Sequence, residues 1–306
     1  MPDNKRVATL NLQRRNTRYF FLFISPWLVG FVVFVLGPML SSIYLSFTKY
    51  SISDPPRWVG LDNYDVIFKG WEPSFYNSVE VTIVYSLLAV PLGILIALLA
   101  ALLLNVEQIK GMSYYRTVFF LPSLLPAVAT TITWAFVFNP KYGYLNAVYS
   151  ALVDGDGPDW LMEHTLGCLV MIAIWGFGNT MMIFLAGLQD VPKSLLEAAT
   201  VDGANVWQRF VHVTIPAIFP VIFFNLVVGV IGSFQVFTQA FVLRDIGTGQ
   251  INQKAVFFYV LNIYENAFQN GRFGLACALA WILMMAILSL TLVQFYLKKR
   301  WAPDDE

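Results

Sequence analysis

The chain is predicted to be an all-α, polytopic membrane protein with six transmembrane helices and a cytoplasmic two-helix coupling loop. Its composition and two patterns within it carry that class. Charged residues make up 12% of the 306 positions, against 58% hydrophobic and 16% aromatic. A soluble globular chain carries about 25% charged residues, so charge is depleted by roughly half, and the mean hydropathy is +0.63. The depletion is local: residues 19–48, 81–106, 117–140, 164–189, 210–243 and 273–297 contain no Asp, Glu, Lys or Arg. A membrane helix needs roughly 20 mostly apolar residues, and each window clears that length. Backbone groups in lipid must be satisfied within the segment, so runs of this kind read as helices. The second pattern is a short polar island, residues 190–214, between two of these windows.

Residues 1–18 form a tail carrying Lys5, Arg6, Arg14, Arg15 and Arg18. The apolar run that follows is too long for a signal peptide and lacks an Ala-x-Ala-like cleavage site, so it reads as a retained first span. Three loops, 49–80, 141–163 and 244–272, carry turn chemistry at Asp54-Pro55-Pro56, Asp154-Gly155-Asp156-Gly157-Pro158 and Gly247-Thr248-Gly249. Within the last of them Val256–Phe268 is expected to form a short helix near the membrane surface, and the loop 107–116 is tight. Pro26, Pro38, Pro91, Pro122, Pro126 and Pro220 fall inside spans, as do Gly30, Gly93, Gly176, Gly178, Gly229 and Gly232. Two readings stand for these: simple enrichment in membrane helices, or bends around a cavity.

Orientation follows from Lys and Arg. The termini, with loops 107–116 and 190–214, hold Lys5, Arg6, Arg14, Arg15, Arg18, Lys110, Arg116, Lys193, Arg209, Lys298, Lys299 and Arg300, twelve cations. The opposite side holds Lys49, Arg57, Lys69, Lys141, Arg244, Lys254 and Arg272, seven. Both termini are therefore expected in the cytoplasm. The chain divides into a cytoplasmic tail (1–18), a transmembrane domain (19–297) containing the cytoplasmic loop 190–214, and a second cytoplasmic tail (298–306). Cys168 and Cys277 both lie in apolar windows and read as small core residues.

The island 190–214 is organised beyond what a connection requires. Asp190 is placed to cap a helix with Pro192 in its first turn. Leu195, Leu196 and Ala199 share a face, and Gly203 is placed to stop the helix in a left-handed conformation. Asn205 and Gln208 have capping-box spacing for a second helix through His212, with Val206, Phe210 and Val213 on one face. Pro216 is expected to end that helix and begin the next span. Two angled helices form a knob for a cleft on a soluble partner; an amphipathic linker resting on the membrane fits the same residues.

Glu197-Ala198-Ala199, Asp202-Gly203 and Ile215-Pro216 at this spacing resemble the EAA loop of the membrane permease subunits of bacterial ABC importers. Trp58-Val-Gly-Leu-Asp-Asn-Tyr64 is similar to an outside-loop motif of the carbohydrate permeases of maltose, multiple-sugar and glycerol-phosphate type. Arg116-Thr-Val-Phe-Phe-Leu-Pro122, Trp134, Phe138-Asn139, Gly143 and Asn146 resemble that subfamily's third-span pattern, and Phe273-Gly-Leu-Ala-Cys-Ala278 its final-span entry. The resemblance spans residues 18–300. Where the family often has a Gly-Gly-Pro turn after the fifth span, this chain reads Arg244-Asp-Ile-Gly-Thr-Gly-Gln250, and the extra N-terminal spans and large outside domain of the maltose type are not expected here.

That resemblance implies a non-catalytic subunit in a bacterial or archaeal cytoplasmic (inner) membrane. It implies contact with two ATPase subunits through Glu197, Ala198, Ala199, Asp202, Gly203, Arg209 and Pro216. It also implies a second permease subunit of a different chain and an extracytoplasmic solute-binding protein. No cofactor is expected on this chain; ATP and Mg would be used by the ATPase subunits. Membrane lipid is an expected contact and nucleic acid is not.

The residues themselves weigh against other classes. Gly247–Lys254 lacks the Gly before its Lys and the Ser or Thr after it that a phosphate loop needs. His164 and His212 have no metal-ligand neighbours at useful spacing. An ion-coupled secondary transporter usually keeps an ionisable residue at membrane depth, and none lies in the six windows; a channel gives no reason for the knob. Neutral, hydroxyl-rich solutes are met by aromatic platforms with a few amides and hydroxyls. Trp175, Gly176 and Asn179 in the fourth window, with Gly229, Ser233, Gln235, Phe237 and Gln239 in the fifth, supply that chemistry. The resemblance places the maltose-type sugar site in the same two spans. The alternative is interhelical packing by small and polar residues. A phosphorylated solute such as glycerol phosphate would call for Arg or Lys in the cavity.

Overall fold

A computed structural model describes residues 3–106, 110–153, 155, 157–245 and 251–301. Helix α1 (Asp3–Phe31) runs through a π turn (Val32–Leu36) into α2 (Gly37–Ser46). A short antiparallel ladder pairs β1 (Thr48–Lys49) with β2 (Arg57–Trp58), Thr48 opposite Trp58 and Lys49 opposite Arg57. There follow α3 (Asp62–Phe68), α4 (Ser74–Leu104), α5 (Met112–Phe120), α6 (Ala127–Val137), α7 (Tyr144–Leu152), α8 (Trp160–Glu163), α9 (Thr165–Trp175) and α10 (Gly178–Gln189). The chain ends with α11 (Lys193–Val201), α12 (Val206–Arg209), α13 (Ile215–Phe234), α14 (Thr238–Asp245), α15 (Tyr259–Tyr264) and α16 (Phe273–Trp301).

Four stretches are long and apolar enough to cross a membrane: Tyr19–Ser46, Ser74–Leu104, Val206–Asp245 and Phe273–Lys299, the third leaving the helix at residues 235–237. Two further pairs qualify only as bent spans, Met112–Leu124 with Ala127–Val137 at 96°, and Thr165–Trp175 with Gly178–Gln189 at 47°. The expected count of six is reached when each bent pair is one span. The bends have local causes. Pro122 and Pro126 flank the sharper one; each lacks a backbone N–H, and Leu125, before Pro126, is pushed to extended backbone (φ −75°, ψ 139°). The gentler one falls at Gly176-Phe177, where α9 is capped by Gly176 donating back to Ala173 and Ile174.

Two prolines act differently. Before Pro38 and before Pro216 the helix widens into a π turn instead of ending, and Gly37 and Ile215 donate to the carbonyls of Val32 and Phe210, five residues back. The ring of an interior proline clashes with the carbonyl four residues earlier, and the extra residue in the turn relieves that clash. The expectation that Pro216 ends a helix is thereby corrected: α12, the π turn and α13 form one continuous helix. Other boundaries move by a few residues. Helix α1 begins at Asp3, within the expected tail. The expected Val256–Phe268 helix is Tyr259–Tyr264 followed by a π turn to Gln269. Residues 107–109 of the tight loop, 154 and 156 of the Asp-Gly turn, and 246–250 of the loop departing from the family pattern lie outside the described residues.

The chain divides into two compact units, residues 1–66 with 266–281, and residues 67–265 with 282–306. In the first, Asn63 Nδ2 donates to the carbonyls of Ser46 (2.8 Å) and Thr48 (2.9 Å). The Tyr64 hydroxyl donates to Ser46 Oγ at 2.9 Å, and Trp58 stacks on Phe47 at 5.6 Å. Trp281 Nε1 donates to Ser42 Oγ at 3.1 Å. In the second unit α4 packs against α9, α10, α13 and α15. One apolar cluster gathers Tyr85, Phe138, Leu169, Phe258 and Leu261; another gathers Ala97, Ala101, Met181, Phe184 and Ile218. The expected third-span motif is explained here: Asn139 Oδ1 accepts from the amides of Lys141 and Tyr142. Asn146, buried, holds the indole of Trp160 and the carbonyls of Pro140 and Pro158.

Gly274 is the tightest backbone approach in the first unit. A Cβ there would overlap the carbonyl oxygen of Thr48, an atom that cannot rotate away. Gly274→Val should therefore cost about 1–3 kcal/mol, read as a lower thermal midpoint of the purified chain in detergent. An unchanged midpoint would mean that the backbone at Thr48 can yield.

Candidate functional site: a charge-free cavity and an exposed two-helix knob

The two helix breaks and α13 together enclose a cavity of about 430 Å³ within the second unit. Its wall includes Trp175, Gly176, Asn179, Gly229, Ser233 and Gln239, six of the eight residues expected from the fourth and fifth windows. The other two lie elsewhere. Gln235 is exposed at the C-cap of α13, where its N–H turns back to the Gly232 carbonyl. Phe237 is stacked on Phe241 and tilted against Tyr264, each at 5.3 Å, and packs on the apolar core. The helix ends at Phe234, and of the three expected residues beyond it only Gln239, on α14, reaches the wall.

The cavity also has walls that were not expected. Ser123 and Thr130 come from either side of the Pro122–Pro126 break, and Asn225 from α13. Asn225, Gly229 and Ser233 recur every four residues, so a helical-face reading of the window would have found Asn225. Ser123 and Thr130 needed the break itself. Among the described residues no Asp, Glu, Lys or Arg lines the space; amides, hydroxyls, glycines and the rings of Tyr85, Trp175 and Phe177 share the wall with aliphatic side chains such as Val90, Ile94, Leu125 and Ile172.

Close packing fixes the walls. Ser233 Oγ and Ser86 Oγ are 2.6 Å apart, a buried hydrogen bond joining α13 to α4. A Cβ on Gly229 would stand 3.1 Å from Val90 Cγ1, and one on Gly178 2.9 Å from the Phe119 carbonyl. Asn225 Nδ2 donates to the Val221 carbonyl at 2.9 Å. Trp134 meets Trp175 edge-on at 5.8 Å. Small residues here permit close helix approach, and hydroxyls satisfy one another where no water is guaranteed.

The second feature is the knob at 190–214. Helix α11 carries Glu197 and Ala198 exposed and Ala199 half-buried. It closes at Gly203, which has φ +82°. Gly203 N–H bonds the Thr200 carbonyl at 3.1 Å and Ala204 N–H the Ala199 carbonyl at 2.9 Å, the paired bonds of a Schellman ending. The capping box of α12 is complete: Gln208 N–H donates to Asn205 Oδ1 at 2.9 Å and Asn205 N–H to Gln208 Oε1 at 2.8 Å. Arg209 Nη1 donates to Thr200 Oγ1 at 2.7 Å, tying the two helices at their junction.

The other expected residues are also placed. Asp202 is exposed at the C-cap of α11, and Pro216 is exposed just past the π turn. Asp190 does not cap α11, whose N-cap is Pro192 without a side-chain bond; the proline stiffens the entry instead. A concavity of about 350 Å³ beside the junction is lined by Asp202, Gly203, Gln208, Arg209 and His212. Leu195, Val201, Val206 and Trp207 are 51%, 88%, 74% and 70% exposed. A polar segment that displays large apolar side chains while its helix junction is capped at Gly203 and Asn205 presents an interaction surface. Among the described residues no group of three His, Cys, Asp or Glu could hold a metal ion.

Three comparisons bear on what this arrangement is. A family model described as "Binding-protein-dependent transport system inner membrane component" matches residues 89–303. The chain is similar to the probable ABC transporter permease protein YesP of Bacillus subtilis (strain 168), 39% identical over 92% of this chain and 90% of that one. It is similar to the arabinooligosaccharides transport system permease protein AraP of Halalkalibacterium halodurans, 30% identical over 94% and 89%. A chain in the crystal structure of a bacterial alginate ABC transporter, in complex with a periplasmic protein that holds an alginate pentasaccharide, superposes with a TM-score of 0.80. It is 21% identical, and the match covers 96% of this chain and 97% of that one.

The knob makes a prediction independent of any partner. At φ +82° a β-branched residue is strained by about 1–2 kcal/mol, whereas Asn tolerates that region. Gly203→Val should raise amide hydrogen exchange across 193–209 by about five- to thirtyfold, with Gly203→Asn close to the parent. Equal exchange in all three would show that the turn re-forms without a left-handed residue.

Proposed function

The chain belongs to the family of binding-protein-dependent transport system inner membrane components, and from that premise we infer that it is the permease subunit of an ATP-driven carbohydrate importer. It is a non-catalytic, multi-pass membrane subunit. The observation that carries the carbohydrate reading is the cavity: aromatic rings, amides and hydroxyls around a space that no charged side chain lines. Such a wall suits a neutral polyol, whose hydroxyls exchange hydrogen bonds with Asn179, Asn225 and Gln239 and whose apolar ring face lies on Trp175. A phosphorylated or acidic solute would arrive without a counter-charge from this chain. The arabinooligosaccharide-transport name of one relative supports the same class.

The proposed mechanism needs two linked sites. Val206–Phe234 is one continuous helix through its π turn, about 44 Å long at 1.5 Å per residue. One end is the knob, with Glu197, Asp202 and Arg209 beside it; the other carries Asn225, Gly229 and Ser233 in the cavity wall. The proposed partners are two ATPase subunits that seat the knob and use ATP and Mg, a second permease subunit, and an extracytoplasmic solute-binding protein. Closure of the ATPase pair pushes on the knob, and the helix carries that displacement to the cavity. The Ser86–Ser233 bond and the close Gly229–Val90 contact are where α13 would slide on α4. In this reading the knob and both termini are cytoplasmic.

The test is uptake of a radiolabelled neutral oligosaccharide, with ATP hydrolysis by the assembled complex measured alongside. Asn179→Ala and Gln239→Ala should each lower uptake about two- to tenfold, the worth of one hydrogen bond, with basal hydrolysis retained. Glu197→Lys should abolish uptake by uncoupling the ATPase. Unchanged uptake in both cavity variants would place the solute contacts outside this subunit.

A further inference from the structure

The Trp58–Tyr64 motif supplies no lining residue to the cavity or to the concavity of the knob, yet its side chains tie the first unit together. Asn63 binds the carbonyls that close α2 and β1, and Gly274 N–H bonds the Tyr50 carbonyl at 3.3 Å. The scaffold so held borders a second cavity, of about 550 Å³, wholly within the first unit. Lys49, Arg57 and Arg272 all line it. Lys49 and Arg57 stand directly opposite each other in the ladder, a like-charge pairing that is unfavourable by itself. Neither has an ion-pair partner among the described residues. Asp54 and Asp62 share the wall, and the Asp54 carboxylate accepts the Ser51 hydroxyl at 3.2 Å.

The cavity sits at the ends of two membrane-length apolar stretches. Lys49 follows the apolar stretch Tyr19–Ser46 by three residues, and Arg272 immediately precedes Phe273–Lys299. Three residues of extended chain reach at most about 10 Å, so Lys49 stands within or just beyond a polar layer of about 5–8 Å on one side of a bilayer. Tyr50 and Phe273 pack together beside it at 5.8 Å, and Trp58 is 64% exposed. Such aromatic residues gather at membrane interfaces. The first apolar stretch is unburied along its most hydrophobic window, and Leu40 and Tyr44 of α2 are exposed, leaving a surface for acyl chains directly below.

We propose that this cavity binds the phosphodiester of a phospholipid headgroup. Lys49, Arg57 and Arg272 supply the cationic contacts, and Asp54 and Asp62 accept from the headgroup's alcohol or amine. The phosphate converts the Lys49–Arg57 opposition into a bridge, which gives the ladder a reason to hold two cations in register. This site depends on neither the solute nor the coupling loop.

Native mass spectrometry of the full-length chain in mild detergent, with phosphatidylglycerol added, tests it. K49Q, R57Q and R272Q should each weaken lipid retention about fivefold, with the exposed-loop variant K141Q unchanged. K49R/R57K keeps both charges and should retain the lipid, which separates charge from misfolding. Millimolar inorganic phosphate should not displace it. Unchanged retention in K49Q/R57Q would overturn the proposal, as would equal loss in K49R/R57K. Displacement by inorganic phosphate would make it a free-anion site instead. Loss of a purified solute-binding protein from R57Q, with lipid retention intact, would assign the cations to that protein.

Discussion

Hydrocarbon offers no partner to an unpaired backbone N–H or carbonyl, and the rest of this architecture follows from where the chain breaks its helices under that constraint. Continuous helices such as α4 and the Val206–Phe234 rod satisfy themselves. The breaks at Pro122–Pro126 and at Gly176-Phe177 do not, so they must be enclosed by protein or face a polar space. Both border one cavity, and the helices around it approach closely because Gly178 and Gly229 stand where a side chain would collide. The cavity is thus where both helix breaks of the second unit meet the hydroxyls and amides of Ser123, Thr130, Asn179, Asn225, Ser233 and Gln239.

Proline has two outcomes in this chain, and the contrast explains how the knob joins the membrane. At Pro126 the preceding residue turns extended and the helix stops. Before Pro38 and Pro216 the preceding turn takes one extra residue, and the helix continues. The second outcome makes a rigid connection from the capped knob to the cavity wall, where the first would have made a hinge. The knob is held by bonds internal to itself, the Schellman ending at Gly203, the capping box at Asn205 and the Arg209–Thr200 tie. Its exposed Leu195, Val206 and Trp207 remain available to another surface.

Much of this was legible in the residue order. Charge-free windows mark all four membrane-length stretches and both bent pairs, because removal of charge is a requirement that every crossing shares. Gly203 and the Asn205–Gln208 pair were readable because capping is local chemistry within four residues. Asp190 was misread because α11 begins at Lys193 with Pro192 as its N-cap, which leaves that carboxylate two residues outside the capping position. Pro216 was misread because a π turn is settled by helix continuity and not by the proline alone. Gln235 and Phe237 were expected in the cavity as polar and aromatic members of the fifth window, but α13 ends at Phe234, and of the three expected residues past that end only Gln239 reaches the wall. Ser123 and Thr130 were missed because only the bend brings them together.

The account stands on the knob being the cytoplasmic end of the rod, and cysteine accessibility measures that directly. A single cysteine replacing exposed Val201, in a chain whose Cys168 and Cys277 are changed to Ala, would be exposed to a membrane-impermeant maleimide. The account predicts labelling in inside-out vesicles and none in intact cells, with a cysteine at exposed Leu61 giving the reverse pattern. Labelling of the Val201 position in intact cells would contradict the orientation and remove the coupling role with it.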